Sequence, residues 1–398
     1  MSTTDPPPET RSGAVSPDVL LTNARIVTAT DTRHGWLHVR DGQISELGSV
    51  GEQPSHPPRE TVDVAGQWVV PGLVDMHCHG GARHDFGAAT PHTVPAALAP
   101  HQANGTTSTI ASLVTAAPAE LLTQVQALAC AAADGHIAGI HLEGPYLAAE
   151  RCGAHDPAQL RDPDRDEFER LLEAAEGHLR MITLAPERPG ALDLITTAVQ
   201  AGVTVALGHT EASYNRTRHA IDAGATVVTH LFNAMPSLHH RNPGPVAAAL
   251  TDERVTVELI NDGVHVHRAT AEVAVAATGP ARLALITDAM AAAGAGDGEF
   301  ELGGLRVEVH GGTARLASDG AVAGSTIVLH EALLRAVREL GLDVPRAVRA
   351  ASTVPARALG LTDRGDLAPG TRGDVLILDE ALALAGQLTR GRWVRRPD

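Results

Sequence analysis

The chain has 398 residues, 43% hydrophobic and 20% charged, enough for one large core and a smaller satellite domain. Its 47 acidic residues outnumber 31 basic ones, giving a formal charge of −16 that offers nucleic acid nothing to hold, and no apolar run approaches the roughly 18 residues of a membrane span. Every basic side chain is arginine, so a lysine nucleophile, a Schiff base, a P-loop and a carbamylated lysine bridging two metals are all excluded.

In chain order, the proline-rich residues 1–17 carry no apolar segment of the kind a secretory signal needs and read as a disordered tail. Strand patterning follows over 20–28, 36–39, 44–47 and 67–70, interrupted by a proline-rich loop at 54–58, so 18–70 reads as the first part of a small β domain. From 71 to 364 short apolar runs alternate with Ala- and Leu-rich helical stretches such as 121–133, 168–176 and 195–201. The candidate strands are 69–76, 107–111, 137–142, 181–184, 203–207, 226–228, 256–260 and 283–286, and eight parallel strands with intervening helices close a (β/α)8 barrel. Glycine pairs near 298–324 mark hairpins inserted on the active face before a last helix at 327–340. Residues 365–398 return to strand patterning at 374–378 and 391–394 and are expected to join the N-terminal β domain. Cys78, Cys130 and Cys152 form neither a CxxC motif nor an even framework, which fits a reducing, cytoplasmic setting.

The chemistry-bearing residues sit where the candidate strands end. His77 and His79 follow the first, Glu143 the third, His209 the fifth, His230 the sixth and Asp288 the eighth. In a strand, residues two apart share a face, so His77 and His79 converge while Cys78 turns away. In a barrel all C-terminal strand ends meet on one face. Four imidazoles and two carboxylates suit zinc or a similar divalent ion, and are enough for two ions with Glu143 as the bridge. Each residue also has a plainer role open to it: Asp288 as the cap of a following helix, Cys78 as buried filler, His267, Gly80 and Gly81 as structural residues, His92, His178, His219 and His310 as solvated ones.

Taken in succession, Pro71-Gly72-Leu73-Val74-Asp75 with His77 and His79, His141-Leu142-Glu143-Gly144-Pro145-Tyr146, Gly208-His209-Thr210, Thr229-His230-Leu231-Phe232-Asn233-Ala234-Met235 and Thr287-Asp288-Ala289-Met290 resemble the N-acetylglucosamine-6-phosphate deacetylases of the amidohydrolase superfamily. The resemblance implies a (β/α)8 barrel, a β-sandwich from both chain ends, usually a homodimer, and a substrate that is a small amino sugar phosphate met in amino sugar catabolism and cell-wall recycling. By position it implies that Glu143, His209 and His230 hold the shared metal and that Asp288 is catalytic acid and base. Some members carry amides in place of the first two histidines and keep one ion; this chain has His77 and His79, which leaves room for a second. The segment Gly153-Ala154-His155 matches the family's substrate histidine, and Asn233, Ala234, Arg241 and His265 match positions that hold the sugar phosphate, some across the dimer interface. Cys152 departs from the pattern, which has a basic residue there. In such a reaction a divalent ion brings the pKa of water down to about 7, Asp288 carries its proton to the leaving amine, and His155 polarises the acetyl carbonyl. The rivals are an N-acetylgalactosamine-6-phosphate deacetylase, an N-acyl amino acid hydrolase or a purine-type deaminase with the same ligands. A non-catalytic scaffold is disfavoured because all six ligand positions are present.

Overall fold

The computed structural model describes residues 17–90 and 92–397; apart from Pro17, the expected tail over 1–17 lies outside them. Eight parallel strands form the central sheet in sequence order: β1 Leu73–Cys78, β2 Thr106–Leu113, β3 Gly139–Glu143, β4 Leu179–Leu184, β5 Thr204–Leu207, β6 Val227–Val228, β7 Thr256–Ile260 and β8 Leu283–Ile286. Nearly every position in these strands is buried, because helices cover them outside and side chains fill the barrel inside. Leu142, Val205 and Val257 face Leu128, Phe168 and Ile195 in the outer layer. Val74, Met76, Ile110, Met181, Ala206, Ile260 and Ile286 pack with Val354 and Ala356 of the helix Thr353–Ala358.

Helix starts follow local chemistry. Proline opens Pro118–Ala133, where a missing N–H costs nothing. The Asp164 carboxylate accepts from Glu167 N at 2.9 Å and the Ser213 hydroxyl from Arg216 N at 3.2 Å, capping Arg165–Ala174 and Tyr214–Asp222. The first of these caps is why that helix starts three residues before the apolar pattern at 168 does.

Toward the C-terminal strand ends the barrel interior turns polar. Ser112 Oγ meets His141 Nδ1 at 2.9 Å, His141 Nε2 meets Thr183 Oγ1 at 2.8 Å, and Thr183 Oγ1 meets Thr229 Oγ1 at 2.8 Å. Closure is made by the segments that carry the candidate ligands. Asp288 N donates to His77 O at 2.9 Å, His79 N donates to Ala289 O at 2.7 Å, and the Thr287 hydroxyl donates to Asp75 Oδ2 at 2.6 Å. Residues 210 to 212 positions apart in sequence thus become neighbours at one seam.

The expected first strand, 69–76, is in fact two. Trp68–Pro71 pairs with Asp18–Val27 and Val375–Leu378 in a sheet made from both chain ends, and Leu73–Cys78 belongs to the barrel. The joint is Gly72, where a Cβ would fall 2.1 Å from Thr107 Oγ1, so the chain passes this close to β2 only without a side chain. The chain-end strands form a β-sandwich around Leu21, Ile26, Leu37, Val69, Ile377 and Leu388. A three-stranded antiparallel sheet, Gly298–Leu302, Leu305–His310 and Thr313–Leu316, is inserted after β8. No helix among the described residues is long and apolar enough to cross a membrane.

Candidate functional site

His77, His79, Glu143, His209, His230 and Asp288 converge above the polar layer. Pairing of β1 with β2 is irregular between Asp75 and Cys78, which turns His77 out of the ladder. His209, His230 and Asp288 lie just past β5, β6 and β8 with φ of +48°, +26° and +48°, a left-handed turn that ends each strand abruptly and aims the side chain across the barrel mouth. Such values are uncommon outside glycine, though His and Asp adopt them more readily than most, and they persist where the surrounding structure holds them. No helix begins after Asp288, so it is not a helix cap.

Glu143 is the hub. Its Oε1 lies 3.2 Å from His209 Nε2, 3.1 Å from His230 Nε2 and 3.5 Å from His77 Nε2, and its Oε2 lies 3.2 Å from His79 Nε2 and 3.4 Å from His155 Nε2. Asp288 Oδ1 lies 3.2 Å from His79 Nε2 and 3.4 Å from His77 Nε2. The Nε2 atoms also face one another, His77 to His79 at 3.2 Å and His230 to His209 at 3.0 Å. Two imidazole lone pairs repel at that distance unless a cation or a proton lies between them. Burial opposes charge on His79, yet Asp288 and Glu143 push it up to about 9. Burial likewise opposes ionisation of Asp288, and His77 and His79 hold it well below the usual carboxylate range. The carboxylates therefore demand positive charge here, and the all-nitrogen and oxygen donor set fits a divalent ion.

A cavity of about 320 Å³ opens over this cluster, lined by His79, Glu143, His155, His209, His230 and Asp288 below, Asn233, Ala234 and His265 on one side, and Leu302 and Val322 of the inserted sheet above. His155 is neutral, its pKa pushed down by burial to about 4. Thr115 N donates to its Nδ1 at 3.2 Å, so the ring proton is on Nε2, pointing at Glu143 and the cavity. Gly153, with φ +57°, sits so close to the His209 ring that a Cβ would lie 3.2 Å from Cε1. His265 is held by Asp262, Oδ2 to Nδ1 at 2.7 Å, and burial notwithstanding this contact raises its pKa.

Arg241 is not brought to this cavity: it is exposed on the loop after β6, its guanidinium donating to the neighbouring His240 ring at 3.0 Å. Arg151 does line the cavity but is paired with Glu211. His267 caps the helix Arg268–Thr278 and Cys78 is fully buried, the plainer roles open to them. Sequence reasoning missed Thr115, Asp75, Asp262 and Glu258. The last was detectable as the one charged residue inside the apolar strand β7, a position that carboxylates seldom occupy unpaired.

A model of the amidohydrolase family matches residues 68–394. The N-acetylgalactosamine-6-phosphate deacetylase of Escherichia coli is 37% identical over 88% of this chain and 93% of its own length. The N-acetylglucosamine-6-phosphate deacetylase of Bacillus subtilis is 33% identical over 94% of this chain and 96% of its own. A mutant N-acetyl-D-glucosamine-6-phosphate deacetylase from Mycobacterium smegmatis, solved in complex with N-acetyl-D-glucosamine-6-phosphate, superimposes with a TM-score of 0.90 at 46% identity, covering 95% of this chain and 100% of that one.

Proposed function

The chain belongs to the amidohydrolase family, and we propose that it hydrolyses the acetamide of N-acetylglucosamine 6-phosphate to glucosamine 6-phosphate and acetate, using zinc or a similar divalent ion. The observation that carries this reading is the convergence of four imidazoles and two carboxylates on one cavity that also holds a neutral histidine with its proton facing inward. The glucosamine epimer is proposed on the 46% identity of the Mycobacterium smegmatis enzyme over its whole length; by sequence the Escherichia coli galactosamine relative, at 37%, stands above the Bacillus subtilis glucosamine one, at 33%, and both epimers therefore enter the test.

Glu143, His209 and His230 would hold one ion, with His77, His79 and Asp288 available to a second that shares Glu143. A bound ion supplies Lewis-acid activation of water and carbonyl. Asp288 takes the proton that the attacking water loses and hands it to the departing nitrogen, which as a free amide anion would not leave. His155, held as the Nε2–H tautomer, donates to the acetyl oxygen as negative charge builds on it. Its neutrality matters, because an imidazolium beside Glu143 would pair with that carboxylate and not with substrate. Asn233, Ala234 and His265 flank the sugar, and Arg241 of a second subunit binds its phosphate, which makes the working form a homodimer.

The test is release of acetate and free amine by zinc-loaded protein from N-acetylglucosamine 6-phosphate, from its galactosamine epimer and from the unphosphorylated sugar. Preference for the first substrate is expected. Zinc-loaded protein that releases nothing from all three would overturn the reading.

A further inference from the structure

Glu258 lies inside β7 with no exposure to solvent. A carboxylate there costs several kcal/mol unless something compensates it, and among the described residues no arginine approaches it. Its Oε2 is 3.1 Å from His77 Nδ1 and 3.1 Å from the backbone N of His230, while Oε1 has no partner among the described residues. One oxygen thus holds the ring of one candidate ligand and the backbone of another, and these two belong to different halves of the centre.

The other ligand histidines have no such support. His79 Nδ1 and His230 Nδ1 are buried without a partner among the described residues, and His209 Nδ1 meets only the Arg151 carbonyl, at 2.7 Å. His77 alone has its ring oriented by a carboxylate. That contact requires the proton on Nδ1 and so turns the Nε2 lone pair toward Glu143 and Asp288, and it makes Nε2 a stronger donor. A methionine, of similar length and volume, would fill the same space without the desolvation cost, so packing does not account for a glutamate.

We infer that Glu258 is a positioning residue for the metal centre: it fixes the tautomer and ring plane of His77 and thereby sets how tightly the His77 and His79 half takes up an ion. The inference rests on the metal reading of the proposed function and adds a residue that acts only through a ligand.

Zinc titration of the ion-free protein, followed by calorimetry with ion counting by mass spectrometry, tests it. In Glu258→Gln and Glu258→Leu, both checked for native circular dichroism, one ion is expected to bind as in the wild type and one about 10- to 100-fold more weakly. In a His77→Asn background the further change Glu258→Gln is expected to leave zinc affinity unaltered, since the residue through which it acts is gone. The inference is overturned if both single variants bind zinc with wild-type stoichiometry and affinity, or if the loss persists undiminished in the His77→Asn background. Wild-type protein that takes up no zinc would bring down the metal reading itself, a result distinct from wild-type-like binding by the variants.

Discussion

At His155 the placement of one proton decides what the side chain can do. A backbone N–H cannot turn into an acceptor, so the contact from Thr115 N leaves Nδ1 without a proton and puts the ring's only N–H into the cavity. Burial keeps the ring neutral down to about pH 4, so this arrangement is constant across the working range. Asp288 differs: in the proposed reaction it changes protonation during each turnover. Replacing His155 by Asn is expected to lower kcat about 10²- to 10³-fold, and Asp288→Asn on the order of 10²- to 10⁴-fold, in preparations matched for zinc content, with KM moving little in either. Steady-state acetate release measures both, and near-normal kcat in either variant would remove that residue from the chemistry.

Between β7 and the helix Arg268–Thr278, the short loop that carries His265 is built on Asp262. Asp262 Oδ1 accepts from Val264 N at 2.8 Å and His265 N at 2.9 Å, and Oδ2 binds the His265 ring at 2.7 Å. Burial works against both charges, but the contact lowers the Asp262 pKa from its ordinary 3.8 and raises that of His265 from 6.5. The aspartate contribution is therefore present above pH 3.8 and lost as the pH falls through its lowered value. The histidine contribution is complete below 6.5 and lost as the pH rises through its raised value. Asp262→Asn is expected to destabilise the protein by about 1.5–3 kcal/mol, with the largest fall in melting temperature between these limits and a smaller one at alkaline pH. A pH-independent difference would reject the charged pair. The loop also shows where sequence reading stops. Strands such as β8, Leu-Ala-Leu-Ile, were legible because a parallel barrel buries both faces and leaves a bare apolar run. The strand-end ligands were legible because the fold gathers those ends. Thr115 and Glu258 act through contacts that link β2 to the loop after β3 and β7 to β1, and local patterning carries no sign of such partners; Asp262 binds only residues two and three positions on, a contact that by sequence reads as a turn and gains its meaning from where the fold puts His265. Gly72 was hidden differently: the apolar run continues across it, and only the approach of Thr107 reveals that two strands meet there.

For the molecule as a whole, a formal charge of −16 repels a phosphate dianion at long range, so the attraction must be local. Within one subunit the cavity offers little of it, because Arg151 is neutralised by Glu211 and Arg241 lies exposed beside His239 and His240. A bidentate guanidinium is the natural partner for phosphate, and the proposed dimer would bring the exposed Arg241 to the cavity of a second copy of the chain. In a symmetric dimer each site then combines Asp288 of one subunit with Arg241 of the other. Arg241→Ala should weaken turnover of the phosphorylated substrate more than that of the unphosphorylated sugar. Mixing decides the geometry. A subunit carrying Arg241→Ala, paired with one carrying Asp288→Asn, has its own Asp288 and receives an intact Arg241, so each hybrid dimer holds one complete site beside one doubly impaired site. Random reassociation of equal amounts makes half of the dimers hybrid, so activity should recover to about one quarter of the wild-type level, measured as acetate release after unfolding and refolding the two together. If Arg241 serves its own subunit, neither site of the hybrid is complete, and the mixture stays at the average of the two impaired parents.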